Sequence, residues 1–277
     1  MKPDLERGDR GPDVAELQDL MNRHGLLLAC DGAFGPGTEA AVREVQALAG
    51  LSVTGASDAA LWAWLEAQPE PDPRFSTEGV SFVCREEVGG RGFYDSHAAQ
   101  PHWPGGESGV TLGMGYDLRF QSEAQFEADW GDVLDPDALA DLRPWLGRQG
   151  SAEAVAGLGH IRVPITAAWR VYLRRSVPRY WELTLEAYPE AQDLPPLCRA
   201  VLLSLVYNRG NSLSARKDSR REMRAIRDCL RAADLPGVAA QLRAMKRLWP
   251  GNAGLTGRRD REAELWERGL ASAGPSA

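Results

Sequence analysis

Residues 108–118 read Ser-Gly-Val-Thr-Leu-Gly-Met-Gly-Tyr-Asp-Leu, a β-prone stretch in a chain whose other regular patterns are helical. Two closely spaced glycines, Gly113 and Gly115, predict a strand or tight hairpin whose backbone admits another group closely. Thr111 and Asp117 flank these glycines, so a hydroxyl and a carboxylate are expected on one wall of a cleft. The stretch therefore predicts a mainly α fold of α+β type with a small hairpin or sheet.

The 277-residue chain is long enough to fold as two domains. Residues 1–67 show three short helical patterns separated by turns, the second with Thr38 as its expected cap and the third opened by Ser57-Asp58. Residues 68–75 alternate proline with charge and are expected to form a linker, because they cannot continue a helix. Residues 76–277 are then a second, mainly helical domain.

The formal charge of −7 is unevenly distributed along the chain. Residues 1–67 carry 5 basic and 11 acidic side chains, whereas residues 209–277 carry 15 basic and 8 acidic ones. The basic end suits an anionic polymer such as a cell-wall glycan or a lipid surface, or consists of arginine-rich helix faces with their own acidic partners. No nucleic-acid partner is expected, because Arg216–Arg231 reads as an amphipathic helix without an aromatic stacking platform.

The sequence gives no sign of a membrane span, a signal peptide or a metal site. No run approaches the roughly 18 apolar residues of a span, and the N-terminus lacks a charged-then-apolar region. We therefore expect a protein made in the cytoplasm without a cleavable signal. A monomer is also expected. His97 and His102 lack Asp or Cys at ligand spacing, so no metal or cofactor is expected. Buried, reduced thiols are predicted for the four scattered cysteines, Cys30, Cys84, Cys198 and Cys229.

The first domain carries a set of glycine, polar and apolar positions at fixed spacing. They are Gly8-Asp9-Arg10-Gly11, Val14, Leu17-Gln18, Asp31-Gly32-Ala33-Phe34-Gly35, Thr38, Ala41-Val42, Val45-Gln46 and Gly50-Leu51. This set resembles the peptidoglycan-binding module attached to many wall hydrolases, with Val45 where phenylalanine is standard and Thr54-Gly55 in place of Asp-Gly. The resemblance implies a three-helix domain with bacterial peptidoglycan as its partner. A helical spacer that has lost binding is the alternative.

An acidic pair, Glu86-Glu87, precedes the β-prone stretch on a predicted helix around Val80–Val88. Neighbouring residues on a helix point about 100° apart, so only one of the two faces a cleft squarely. Val83 lies four residues before Glu87 and places Glu87 beside the apolar face, where desolvation favours the protonated acid. Hydrolysis of a glycosidic bond needs such an acid and a group that activates water on the opposite face of the sugar.

Thr111 is predicted to hold the nucleophilic water and Asp117 to orient or deprotonate it, with inversion at the anomeric carbon as the outcome. The array of Glu87, Tyr94, Ser108-Gly109-Val110-Thr111 and Gly113-x-Gly115-Tyr116-Asp117-Leu118 resembles the phage-type lysozyme superfamily, closest to its pesticin-like branch. The resemblance carries the catalytic roles of the family over to Glu87 and Thr111. Because Ser96 stands where phage lysozymes have aspartate, that role passes to Asp117, and Asp95 is a weaker candidate.

The resemblance extends to residues expected to contact substrate. These are Tyr94, Trp103, Tyr116, Asn208 and Arg209. Tyr116 replaces the histidine of phage lysozymes, Trp103 either stacks on a sugar or packs, and Asn208-Arg209 either contact substrate or stabilise the end of their helix.

The expected function is that of a muramidase that cleaves the β-1,4 bond between N-acetylmuramic acid and N-acetylglucosamine and lyses the bacterial cell wall. The protein would reach the wall as a phage endolysin after release, or as an exported effector. Two alternatives remain. A lytic transglycosylase would use Glu87 without a water-activating partner, and a cell-wall-binding protein would have no activity.

Overall fold

The computed structural model describes residues 2–273 and is mainly helical with one two-stranded sheet, which confirms the predicted fold class. The helices are α1 (Pro12–Asn22), α2 (Pro36–Leu48), α3 (Ala59–Glu66), α4 (Thr77–Val88), α5 (Arg91–Phe93), α6 (Glu123–Trp130), α7 (Pro136–Leu142), α8 (Ala152–Ala156), α9 (Ile165–Val171), α10 (Val177–Ala187), α11 (Pro196–Arg209), α12 (Arg221–Arg231), α13 (Leu235–Ala244) and α14 (Ala253–Ser272). The strands are β1 (Thr111–Leu112) and β2 (Tyr116–Asp117). Within residues 2–273 no helix has the length and apolar character needed to cross a bilayer.

Shorter helical segments connect these elements. Two are π-helical, Tyr94–Ala98 and Tyr172–Ser176. The 3₁₀ segments are Leu118–Phe120, Arg143–Trp145, Pro189–Asp193, Asp218–Arg220 and Met245–Leu248. The chain divides into two compact units, the first made of the residues up to Pro71 with Glu87–Ser176 and the second of Asp72–Glu86 with the residues from Val177 onward.

In the first unit, α1, α2 and α3 pack as a three-helix domain, as the sequence predicts. Their shared core consists of Val14, Leu17, Met21, Val42, Val45, Leu61, Trp62 and Leu65. Asp58 caps α3 by accepting a hydrogen bond from the N–H of Leu61 at 2.8 Å. Thr38 is not the cap of α2, because α2 already begins at Pro36, whose fixed φ suits a first helical position.

Two buried glutamines explain the polar part of the recurring N-terminal pattern. The Gln18 amide donates to Thr38 Oγ1 at 3.0 Å and to the carbonyl of Ala33 at 3.1 Å, and its oxygen accepts from the N–H of Gly32. Gln46 makes the corresponding bonds to the turn that contains Thr54. Because buried polar groups must be paired, these residues fix the loops between helices. The pattern is therefore a signature of the domain's fold.

The three-helix domain is packed against the rest of its unit. The Trp169 indole on α9 covers Gly25, and its Nε1 donates to the carbonyl of Arg23 at 2.9 Å. A second link is the Arg91 guanidinium, which bonds to Glu44 on α2. The domain therefore has a fixed orientation within the first unit.

Replacement of Gly25 by alanine is expected to break this packing. Gly25 has φ +75°, and an added Cβ would lie 2.2 to 2.5 Å from Trp169 ring and Cβ atoms. Gly50→Ala is the matched control, since Gly50 has φ +68° with nothing within 4 Å of an added Cβ. In both variants the left-handed backbone lowers the free energy of unfolding by about 1–2 kcal/mol. In Gly25→Ala, overpacking lowers it by a further ~1–3 kcal/mol. Equal unfolding free energies in chemical denaturation would contradict the packing described.

The segment 68–75 makes contacts in both units. In the first unit, Arg23 donates to the carbonyl of Gln68 at 2.6 Å and to the Glu70 carboxylate at 3.3 Å. In the second, Phe75 is buried and meets Trp181 edge-to-face, with ring centroids 5.1 Å apart. An apolar anchor thus ends a stretch that is proline-rich and charged. The predicted boundaries at 67 and 76 stay a prediction.

The hairpin of the first unit has the expected register. Thr111 lies opposite Asp117 and Leu112 opposite Tyr116, which leaves a three-residue turn over 113–115. Gly113 adopts φ +50°, and a Cβ there would lie 2.6 Å from Cβ of Ala168 on α9. Only glycine therefore allows the turn to approach α9 this closely.

The second unit has α11 at its centre, with the residues 200–206 all buried. Helices α10 and α14 pack against it. A buried polar group joins α11 to α14, since Ser204 donates to Glu262 at 2.6 Å and Glu262 also accepts from Arg258 and Arg259. These bonds compensate the cost of burying the charges.

The cysteines only partly match the prediction of buried thiols. All four lie within residues 2–273, and no disulfide joins any of them there. Cys84 and Cys198 are buried, whereas Cys30 is exposed and Cys229 is half-exposed. Residue type alone does not place Cys30, which lies in the loop between α1 and α2.

Candidate functional site

The candidate site in the first unit is built on the hairpin pair Thr111 and Asp117. Residues directly opposite in an antiparallel pair project to the same face, so the hydroxyl and the carboxylate share one side of the hairpin. Both also bond to Gly109. The Thr111 hydroxyl donates to the Gly109 carbonyl at 3.3 Å, and the Gly109 N–H donates to Asp117 Oδ1 and Oδ2 at 3.0 and 3.1 Å.

Asp117 has a second, structural contact. Its Oδ1 accepts from the N–H of Arg119 at 2.9 Å and so caps the 3₁₀ segment Leu118–Phe120. A carboxylate has about four lone-pair sites, so Oδ2 keeps acceptor capacity beside its bond to Gly109. Thr111 is only 3 % exposed, which places its hydroxyl inside the hairpin layer. The pair is therefore rigid, with Asp117 as the half-buried member.

Glu87 lies in the last turn of α4 and is exposed, so the burial expected from Val83 is not found. The reason is local: α4 ends at Val88, and the chain leaves through Gly89 and Gly90, which have positive φ and no side chains to cover the carboxyl. The neighbouring Glu86 is the more buried of the two. Its carboxylate forms two hydrogen bonds with Arg261, at 2.6 and 2.8 Å, within the second unit.

The two tyrosines expected to contact substrate lie in the core of the first unit. Tyr94 is 1 % exposed and donates its hydroxyl to the carbonyl of Val163 at 2.8 Å. The Tyr116 hydroxyl donates to Asp129 at 2.9 Å, and burial together with this hydrogen bond raises the Tyr116 pKa far above its usual value. A tyrosine needs a polar partner for its hydroxyl when it is buried, and both have one in the interior.

Trp103 and Asp95 are tied into the surface of the same unit. The half-buried Trp103 donates through Nε1 to the carbonyl of Ser108 at 3.0 Å, one residue before Gly109. Trp103 thus lies beside the hairpin. Asp95, the weaker candidate, accepts from Arg91 at 2.8 Å, in the ion pair that continues to Glu44.

Asn208 and Arg209 belong to the second unit, at the end of α11. The exposed Asn208 accepts from Arg259 at 3.4 Å. Arg209 lies over the Trp249 ring, 4.8 Å from its centroid, and donates to the carbonyl of Ser219 at 2.5 Å.

One exposed aromatic pair was not predicted. Phe93 is 48 % exposed and stacks on His97 with ring centroids 4.1 Å apart. An added Cβ on Gly89 would lie 2.9 Å from the Phe93 side chain, so the pair lies at the end of α4 that carries Glu87. The signal in the sequence is the i,i+4 spacing of two aromatic residues on a helix. A flat exposed ring near a candidate acid is suited to contact a sugar face.

A separate groove of about 380 Å³ lies in the first unit, and the predicted site residues do not line it. Its lining consists of Asp141, Trp145, Ser151, Glu153, Ala154, Gly157 and Leu158. Among residues 2–273 no three His, Cys, Asp or Glu side chains are grouped to hold a metal ion.

Comparison with known families matches two parts of the chain. Residues 10–65 match the family described as "Putative peptidoglycan binding domain". The first three helices therefore have the peptidoglycan-binding domain fold. This match supports a protein that acts on the cell wall. Residues 83–151 match "Domain of unknown function (DUF8812)", a range that contains Glu87 and the whole hairpin.

Comparison with solved structures finds the crystal structure of Burkholderia AP3 phage endolysin. The two chains are 16 % identical, the match covers 97 % of this chain and 100 % of the endolysin chain, and the TM-score is 0.23. A TM-score of this size does not indicate a common overall fold. No curated protein matches the chain.

Tyr116→Phe tests whether Tyr116 acts through packing or through substrate. Loss of the hydroxyl removes one of the donors to buried Asp129, which keeps Gln125 and Arg175. We expect the free energy of unfolding to fall by about 1–3 kcal/mol, with the affinity for peptidoglycan fragments unchanged. The control is Tyr180→Phe, because the Tyr180 ring stacks on Tyr207 and the residue is only half-buried. Weaker fragment binding at unchanged stability would restore Tyr116 as a substrate contact.

Proposed function

We propose that this chain is a peptidoglycan hydrolase of the muramidase type, which cleaves the β-1,4 bond between N-acetylmuramic acid and N-acetylglucosamine. The carrying observation is the pairing of Thr111 with Asp117 across the hairpin, with both side chains held on Gly109. The same compact unit contains Glu87 and the peptidoglycan-binding domain fold. The resemblance of the motif to the pesticin-like lysozymes supports the assignment.

The proposed roles follow the chemistry of an inverting glycosidase. Glu87 lies exposed at the end of α4, and once a bound sugar covers and desolvates its carboxyl, the protonated acid gives its proton to the leaving glycosidic oxygen. Water attacks the anomeric carbon from the opposite face and passes its proton to Asp117 Oδ2. Thr111 is a positioning residue, because its hydroxyl holds Gly109 and Gly109 holds Asp117. The Phe93–His97 pair contacts a sugar ring beside Glu87.

The peptidoglycan-binding domain has a directional role in this proposal. Contacts of Gly25 with Trp169 and of Glu44 with Arg91 fix its orientation relative to α9 and α5. Binding of a glycan strand then presents the strand to the hairpin at a set angle, so the orientational entropy is lost on binding and not in the chemical step. A flexible tether would raise only the local concentration.

A lytic transglycosylase is the second candidate, and one observation favours it. The Thr111 hydroxyl and the Asp117 carboxylate already bond to backbone groups of the hairpin layer, and Thr111 is buried. In that enzyme class, Glu87 would act as acid and base alone. The C6 hydroxyl oxygen of N-acetylmuramic acid would then replace water as the nucleophile, and a 1,6-anhydro end would be left.

The test uses the full chain on purified peptidoglycan free of other wall polymers. We expect soluble glycan fragments to appear with time and new reducing ends to appear at the same rate. Fragments without reducing ends would shift the assignment to the transglycosylase. Wall binding without fragments would leave a binding protein, which acts on the wall without catalysis.

A further inference from the structure

The cations of the second unit fall into two groups. Most are neutralised by carboxylates: Arg243 bonds to Glu267 at 2.5 and 2.9 Å, and Lys246 bonds to Asp260 at 2.8 and 3.0 Å. Arg258, Arg259, Arg261 and Arg268 also form ion pairs. Arg221, Arg231 and Arg247 are paired as well, so Arg209 and Arg220 are among the cations that have no carboxylate partner in the described residues.

Arg209 is the most confined member of the second group. It is half-buried, its Nη2 donates to the carbonyl of Ser219, and its plane lies over Trp249. Its Nε is buried without a hydrogen-bond partner among residues 2–273. Burial, reinforced by the positive charges of Arg220 and Arg259, lowers the Arg209 pKa to about 10, so it stays protonated at neutral pH.

Arg220 and Arg227 lie near Arg209. Arg220 follows Ser219, whose carbonyl accepts from Arg209, and Arg227 lies about two helical turns further along α12. The Arg220 guanidinium bonds to the sulfur of Met223 at 3.1 Å and forms no ion pair in the described part of the chain. The Arg227 Nε is also buried without a hydrogen-bond partner among residues 2–273, and its ion pair with the exposed Asp228 is long, at 4.0 Å. The Tyr188 hydroxyl donates to the carbonyl of Met223 at 3.2 Å, so it lies beside the residue that Arg220 contacts and one helical turn before Arg227. Burial raises the pKa of this hydroxyl, and the charges of Arg220, Arg227 and Arg209 oppose that rise.

Besides Asp228, the carboxylate that acts on this group is Glu222, which other arginines already hold. The negative charge of Glu222 raises the pKa of Arg209. The Glu222 carboxylate, however, already accepts from Arg247 at 2.5 Å and from Arg221 at 3.2 Å. Three like charges without a carboxylate at hydrogen-bond distance repel one another at reduced dielectric. An anion among them removes that cost, and the guanidinium fork matches carboxylate and phosphate oxygens.

We propose that Arg209, Arg220 and Arg227 form a binding site for an oxyanion of a wall polymer, a carboxylate or a phosphate. The choice of a wall polymer rests on the proposed function, whereas the anion chemistry rests on the arginines. Two sources share this chemistry: the lactyl and peptide carboxylates attached to N-acetylmuramic acid, and the phosphates of anionic polymers joined to peptidoglycan. The site would therefore bind strands that carry these anionic groups in preference to uncharged strands.

The test measures binding without turnover, so every protein is a full chain that also carries Glu87→Gln. The probes are N-acetylmuramic acid, N-acetylglucosamine, which lacks the lactyl carboxylate, and inorganic phosphate, each titrated by calorimetry or NMR. We expect N-acetylmuramic acid and phosphate to bind and compete with each other. N-acetylglucosamine is expected not to compete with phosphate.

Arg220→Gln is expected to lower the affinity for N-acetylmuramic acid and for phosphate about 10- to 100-fold, which corresponds to the loss of one charge-assisted hydrogen bond. Arg243→Gln is the control, because it removes an equal charge from the Glu267 pair in the same unit. Since Arg220 has no ion pair in the described residues and repels its charged neighbours, its variant should melt no lower than the unaltered protein, which excludes misfolding as the cause. Equal anion binding by both variants, or equal binding of the two sugars, would overturn the site.

Purified sacculi separate the two sources. Treatment with hydrofluoric acid removes phosphate polymers, and amidation of carboxyl groups removes the carboxylates. The difference in retention between Arg220→Gln and Arg243→Gln should vanish on the material that lacks the true ligand, and its absence on untreated sacculi would overturn the proposal. Failure of the proposed function shows instead as absence of hydrolysis by the protein with Glu87 intact.

Discussion

Glu87→Gln is expected to lower the appearance of reducing ends from purified peptidoglycan by at least about 100-fold, because an amide cannot donate the proton that a leaving glycosidic oxygen needs. Glu87 is exposed at the end of α4, so the isosteric change should leave the melting temperature unaltered. Wall binding, measured by co-sedimentation with sacculi, should also be unchanged. The reducing-end assay therefore isolates the proton transfer.

The matched control is Glu86→Gln. Glu86 pairs with Arg261 through both oxygens, so its loss should reduce stability by at most about 1 kcal/mol and leave hydrolysis unaffected. If Glu86→Gln were the inactive variant, the acid would be assigned to the wrong member of the pair. If both variants kept full activity, the acid would lie elsewhere in the chain.

Asp117→Asn is expected to lower hydrolysis by about 100- to 10,000-fold while the hairpin remains folded. Asparagine caps a helical segment about as well as aspartate, so the bonds from Gly109 and Arg119 to Oδ1 can persist. Only the negative charge that accepts the proton of water is lost. Reducing ends and unfolding free energy, measured on the same preparation, separate the two roles.

Asp135→Asn provides the control for this change. Asp135 caps α7 by accepting from the N–H of Ala138 at 2.8 Å, so it has the structural part of the Asp117 environment without the hairpin. Its variant should keep both stability and activity. An Asp117→Asn protein that hydrolyses peptidoglycan as fast as the Asp135→Asn protein would limit Asp117 to capping and favour the transglycosylase.

Local spacing was sufficient to predict the hairpin pair. Thr111 and Asp117 are six positions apart, and a hairpin with a three-residue turn at 113–115 places the two residues directly opposite each other. The capping by Asp58 and the three helices of the first domain were predictable for the same reason, because their causes lie within a few residues. The contact between Trp169 and Gly25 joins residues 144 positions apart, and no local pattern announces it.

Burial was the least predictable property of the candidate site. Tyr94 and Tyr116 each carry a hydroxyl that could contact substrate. The tertiary structure shows that both hydroxyls are instead hydrogen-bonded in the interior, to the Val163 carbonyl and to Asp129. For Glu87, the helical spacing from Val83 predicted burial, but the helix ends one residue later. Helix ends are poorly fixed by periodicity, and this one decides the exposure of the candidate acid.

The most direct test of the central claim is mass spectrometry of purified peptidoglycan digested by the wild-type chain in ¹⁸O-labelled water. Hydrolysis at the muramic-acid bond predicts new reducing N-acetylmuramic acid ends that carry one ¹⁸O atom, and these ends should be missing with Glu87→Gln. Anhydro ends without label, or an undigested polymer, would contradict the muramidase assignment.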